Sequence, residues 1–123
     1  MIAWIKVETT LPQKPELLKL SLRLRIPRRE AIGLCIEFWL WADSVAREDG
    51  VLRGADEESL DAIFGQPGFA AAMRAVRWLE DHPDGFAVPN WTKHNSRSTK
   101  ARLAAARRKA KSRWGRSHDE ERF

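Results

Sequence analysis

The chain has 123 residues, a length that suits one small domain with an appendage. Hydrophobic residues make up 43% and charged residues 32%, which is enough for a packed core, and no apolar run reaches the ~18 residues of a membrane helix. A single cysteine, Cys35, excludes an internal disulfide and a Cys–Cys zinc site, and His82, His94 and His118 lack ligand spacing. The N-terminus lacks the layout of a signal peptide. The expectation is a cytoplasmic protein with no metal and no cofactor.

Charge is unevenly placed. Residues 1–92 hold 11 Lys/Arg and 14 Asp/Glu, a net of −3. Residues 93–118 hold 10 Lys/Arg and no acid, a net of +10, and residues 119–123 add −2. An acidic body with a basic tail points to an anionic partner, nucleic acid first. The division expected is a folded domain over 1–92 and a tail over 93–123, helical or disordered, with an acidic end.

In chain order, residues 3–8 read as a short strand or an extended arm, and Pro12 marks a turn. Residues 15–25 alternate like a strand, but Pro15, Glu16 and the leucines favour a helix, with Leu17, Leu18 and Leu22 on one face. Pro27 ends it. Residues 28–46 give the clearest helix, with Ala31, Leu34, Cys35, Phe38, Trp39, Ala42 and Val45 as its apolar stripe. Its other faces are apolar too, so it belongs in the middle of the fold. Val51–Arg53 is β-prone, and Gly54 closes it. Asp56 is the natural N-cap of a helix that buries Leu60, Ile63 and Phe64. After the break at 65–68, a helix is predicted over 67–80, with Phe69, Ala72, Met73, Val76 and Leu79 inward. Residues 81–85 read as a turn and 86–88 as a strand, extended by Pro89, Asn90 and Trp91. The fold class predicted is mainly α (α+β): a winged helix-turn-helix with a small β-wing and a basic C-terminal tail.

That fold sends helix 67–80 into a DNA major groove. Opposite its core stripe stand Ala71, Arg74 and Trp78, flanked by Ala70 and Arg77. Arg74 and Arg77 are candidates for phosphate or guanine contacts, against the plainer reading of solvated surface. Trp78 is expected to pack on the wing. The tail adds Lys93, Arg97, Lys100, Arg102, Arg107, Arg108, Lys109, Lys111, Arg113 and Arg116, whose phosphate contacts would make binding steeply salt-dependent. No Gly-rich phosphate loop occurs. Glu57, Glu58 and Asp61 read as helix surface rather than catalytic carboxylates, and His94–Asn95 lacks nearby metal ligands. The chain is therefore read as non-enzymatic.

Trp4-Ile5-Lys6, Leu17 to Leu24, Glu30-Ala31-Ile32-Gly33 and Phe38-Trp39-Leu40-Trp41-Ala42 carry a resemblance, continued by Asp49-Gly50-Val51-Leu52, Gly68-Phe69, Val76-Arg77-Trp78-Leu79 and Val88-Pro89-Asn90-Trp91. His94-Asn95 and the basic stretch after it extend the match, to about residue 113. Over this span the chain resembles the N-terminal domain of phage and prophage replication-initiation proteins, similar to the winged-helix, DnaD-like replisome organisers. The resemblance implies origin-DNA binding, recruitment of a replicative helicase or its loader, and a helix over 15–25. Two departures stand out. Arg77 occupies a position where that family commonly has glycine. Family members also often continue through a linker into a partner-binding region, whereas this sequence ends at Phe123 after an acidic patch.

The leading expectation is a duplex-DNA-binding protein in replication initiation. One rival is a small winged-helix transcriptional regulator. Another is a protein-interaction module whose tail adds non-specific DNA affinity. Trp4 and Trp91 either pack in the core or, if exposed, could seat a homodimer, and no membrane partner is expected.

Overall fold

The computed structural model describes residues 4–46 and 49–91. Among the described residues, four helices pack on one another and a small three-stranded antiparallel sheet adjoins α2 through β1, an architecture compatible with an α+β fold. A single 3₁₀ turn at Leu11–Gln13 leads into α1 (Pro15–Leu24), α2 (Arg28–Ala46), β1 (Val51–Arg53), α3 (Glu57–Phe64), α4 (Phe69–Ala75), β2 (Glu80–His82) and β3 (Gly85–Ala87). Residues 4–8 pair with no described strand, so the arm is the alternative that remains.

Helix α1 starts at Pro15, whose missing N–H costs nothing in a first turn. It ends at Arg25 in the left-handed region (φ 57°). Leu17 and Leu20 are its buried side chains, whereas Leu18 and Leu22 face solvent. The leucine alternation is a helix seen at the wrong period, and the face expected from Leu17, Leu18 and Leu22 is corrected accordingly. Helix α2 runs over the predicted span and buries Ala31, Cys35, Phe38, Ala42 and Ala46. It is not enclosed on all sides, since Leu40 and Val45 are exposed. Phe38 forms the aromatic centre, with edge contacts to Phe64 and Phe69 at 5.6 Å each. Burying rings of this size supplies much of a small core.

The sheet order is β1-β3-β2. Val51 pairs with Ala87 on one side of the central strand, and Glu80 pairs with Ala87 on the other. β2 and β3 form a hairpin through residues 83–84. Gly85 at its exit (φ 147°) admits no side chain, because a Cβ would stand 2.3 Å from the Leu52 carbonyl oxygen. Trp91 is only 2% exposed and packs beside Gly50 (φ 70°), so it belongs to the core and is not a dimer seat.

Helix α4 departs most from expectation. It spans seven residues, not 67–80. Val76 leaves helical geometry, and Arg77 turns left-handed at φ 64°. The chain then reverses into β2 at Glu80. Val76 and Leu79 are still buried, at 7% and 1% exposure. The apolar periodicity therefore marked burial correctly but continued past the helix end. Ala70, expected on the outward flank, is fully buried. Ile63, expected in the core, is exposed.

Candidate nucleic-acid interface

Helices α3 and α4 are joined by a turn at 65–68. Asp56 caps α3: its carboxylate accepts the Ser59 N–H at 2.7 Å, and the Ser59 hydroxyl accepts the Asp56 N–H at 3.1 Å. The Ser59 N–H, and then the Ser59 side chain, hold the Asp56 carboxyl below the usual carboxylate range. Gly65 ends the helix left-handed at φ 61°. Asp61 then reaches across the turn. Its two carboxylate oxygens accept the N–H groups of Gly68 and Ala70, each at 2.9 Å. One side chain of α3 thus caps the next helix, and the N-terminal amides of α4 already hold an anion.

Arg74 and Arg77, paired by the sequence, end in different surroundings. Arg74 donates to Glu57 Oε2 at 2.7 Å and to Asp81 Oδ2 at 2.9 Å. Its guanidinium also lies 5.8 Å from the centre of the Phe86 ring. The hydrogen bond it donates to Glu57, then the one it donates to Asp81, raises its pKa. Arg74 therefore ties α3, α4 and β2 together. Exposed Glu58 and Glu80 flank this cluster in sequence, so α4 presents its arginine among carboxylates. Arg53 holds Asp49 at 2.9 Å and lies 3.9 Å from Asp84, linking β1 to the hairpin turn. That contact, with the Val51 N–H, lowers the Asp49 pKa.

Arg77 is exposed and makes no ion pair among the described residues. It lines a groove of about 200 Å³ with Trp39, Trp78, Lys6, Lys14 and Asn90. Trp78 packs against Trp39 of α2, ring centres 5.7 Å apart. A second groove of about 270 Å³ runs between α2, β1 and α3, and Trp41, Val45 and Ile63 line it.

The tail candidates Lys93, Arg97, Lys100, Arg102, Arg107, Arg108, Lys109, Lys111, Arg113 and Arg116, like His94–Asn95, lie outside the described residues. Sequence reasoning missed Asp61 as a cap, because its partners are seven and nine residues ahead and no local pattern marks them. It also missed the groove, whose lining comes from the N-terminal arm, α2 and the segments flanking the hairpin. Burial pushes the Cys35 thiol up to about 12. Among the described residues, no cluster of His, Cys, Asp or Glu could hold a metal ion, and no helix is long and apolar enough to cross a membrane. Comparison of the chain with protein-family models, curated proteins and solved structures returns no match.

Proposed function

We propose that this protein is a non-enzymatic, winged-helix DNA-binding protein acting in phage or prophage replication initiation. The charge contrast carries the reading: a body of net −3 is followed by residues 93–118 with ten cations and no acid. A segment of that composition neutralises phosphates and releases their counterions, which gives affinity independent of sequence. The element order α2, β1, α3, α4, β2, β3, with strands arranged β1-β3-β2, supports the winged-helix part. So does the Asp61 brace across the turn of the helix–turn–helix unit. A replicative helicase or its loader is the protein partner implied by the resemblance, and a homodimer is an alternative assembly on DNA.

The test is fluorescence anisotropy of the full chain on labelled duplex DNA, from about 50 to 200 mM salt. The reading expects tight binding that falls steeply with salt. Neutralising Arg107, Arg108 and Lys109 to Gln should flatten the log–log slope by about 0.9 for each phosphate no longer neutralised. Absence of duplex binding at low salt refutes it.

One observation favours a second reading, in which the folded body docks a protein and only the basic segment holds DNA. Arg74, the outward arginine of α4, is already engaged by Glu57 and Asp81. In that reading Arg74→Ala leaves duplex affinity unchanged. If α4 reads the major groove, the same substitution weakens it by about tenfold or more.

A further inference from the structure

We infer that the groove between the N-terminal arm, α2 and the hairpin base is a binding site for an unpaired nucleotide, its base against the tryptophans and its phosphate on Arg77. The inference goes beyond duplex binding and rests on the groove's own lining.

The first observation is chemical. Lys6, Lys14 and Arg77 meet Trp39 and Trp78 there, with Glu8 as the acid, 2.9 Å from Lys14. The cations outnumber the acid on a body that is net acidic overall. Cations beside aromatic faces are the combination that single-stranded nucleic acid uses: phosphates take the charge and bases stack on the rings.

The second observation is conformational. Arg77 is held at φ 64°, where a side chain costs energy and glycine costs none. The geometry is that of a helix C-cap, with the Arg77 N–H on the Arg74 carbonyl at 3.0 Å and the Trp78 N–H on the Met73 carbonyl at 2.9 Å. Arg25 closes α1 in the same way, but Arg77 does so at the edge of a groove. Asn90, across that groove, is also left-handed, at φ 59°. This turn sets Arg77 at the edge of the groove.

The third observation is size. About 200 Å³ falls below the ~300–1,000 Å³ of a complete small-molecule site. The groove therefore takes one ring system, with the sugar and phosphate at its mouth. That nucleotide can belong to a single strand or be free in solution.

The experiment uses the full chain at about 200 mM salt, which suppresses purely electrostatic binding. Anisotropy is read on labelled dT15 and on a 15-base-pair duplex, and tryptophan quenching is read on dAMP. Arg77→Gly relieves the backbone strain, so its melting temperature should equal or exceed that of the parent. It should weaken dT15 binding about tenfold while duplex affinity stays within about twofold. Arg77→Lys, which keeps the cation, should retain most of the dT15 affinity. Quenching by dAMP, lost in Arg77→Gly, extends the site to free nucleotides; binding of dT15 alone confines it to strands. The inference is overturned if Arg77→Gly weakens dT15 and duplex equally, or weakens neither, or if the parent binds neither dT15 nor dAMP. Duplex affinity of the parent separately reports the earlier proposal, so the two fail independently.

Discussion

Replacing Asp61 with alanine removes the acceptor of two backbone N–H groups at once, those of Gly68 and Ala70. A capping side chain contributes about 1 kcal/mol, and up to about 2 at the strongest caps. The two N–H groups differ in what replaces the carboxylate. Gly68 is exposed, so water takes over as its acceptor. Ala70 is fully buried, and its N–H stays unsatisfied, which alone costs about 1–3 kcal/mol. The expected loss is about 2 kcal/mol, or a fall in Tm of about 8–16 °C for a domain of this size. Asp61→Asn keeps one acceptor oxygen without the charge and should lose about half as much. Thermal and urea melts followed by tryptophan fluorescence measure both variants. If Asp61→Ala melts within about 2 °C of the parent, the side chain does not brace α4, and the α3–α4 packing must hold the turn unaided.

Two glycines should respond in opposite directions. Gly50→Ala places a Cβ 2.4 Å from the Trp91 Cβ in a left-handed residue, for a loss of about 3 kcal/mol or more on urea melts. Gly33→Ala meets nothing within 4 Å inside α2 and should gain about 0.5–1 kcal/mol of helix propensity. Cys35 should resist a disulfide reagent until the protein unfolds, so its modification rate tracks denaturant. Its neutral thiol also sets an alkaline limit. The unfolded chain releases that proton near 9.0, whereas the folded chain keeps it to about 12. Stability should therefore fall across that window by about 1.4 kcal/mol per pH unit, a slope missing from Cys35→Ala. On the acid side, the lowered carboxyls of Asp49 and Asp56 add stability at neutral pH that is lost as pH falls below about 4. Asp49→Asn with Asp56→Asn should flatten that limb of the pH–stability curve.

Local chemistry made the first two-thirds of the fold legible. Pro15 and Asp56 mark where helices begin through their own backbone and side-chain groups, as expected, whereas Pro27, expected to end α1, follows the left-handed cap of Arg25 and starts α2 with its carbonyl. The stripe on α2 found its core because a 19-residue helix repeats the signal several times. Helix α4 is different. Phe69, Ala72, Met73, Val76 and Leu79 keep helical spacing in sequence, yet the last two are buried from a turn and the approach to a strand. Periodicity reports which side chains go inward, not the backbone that delivers them. Nothing in the local sequence shows that Arg77 turns left-handed, because arginine is an ordinary helix residue. The groove was hidden for another reason. Its lining comes from segments as far apart as Lys6 and Asn90, which only the closed fold brings together.

Under the proposed function, the contrast between Arg74 and Arg77 bears on how the folded body would meet DNA. An arginine ready for phosphate should gain a partner on binding, not exchange one. Arg74 would have to leave Glu57 and Asp81, and two exposed carboxylates would then face the phosphates. Each exposed ion pair is worth only about 0–1 kcal/mol, so the exchange is not forbidden by the energy of the pairs. The like-charge repulsion left behind counts against it more. Arg77 has no such pair among the described residues and sits in a cationic, tryptophan-lined groove. Two arginines three residues apart, indistinguishable as surface residues of a predicted helix, are divided by one left-handed residue. One ties α3, α4 and β2 together, and the other carries no ion pair among the described residues.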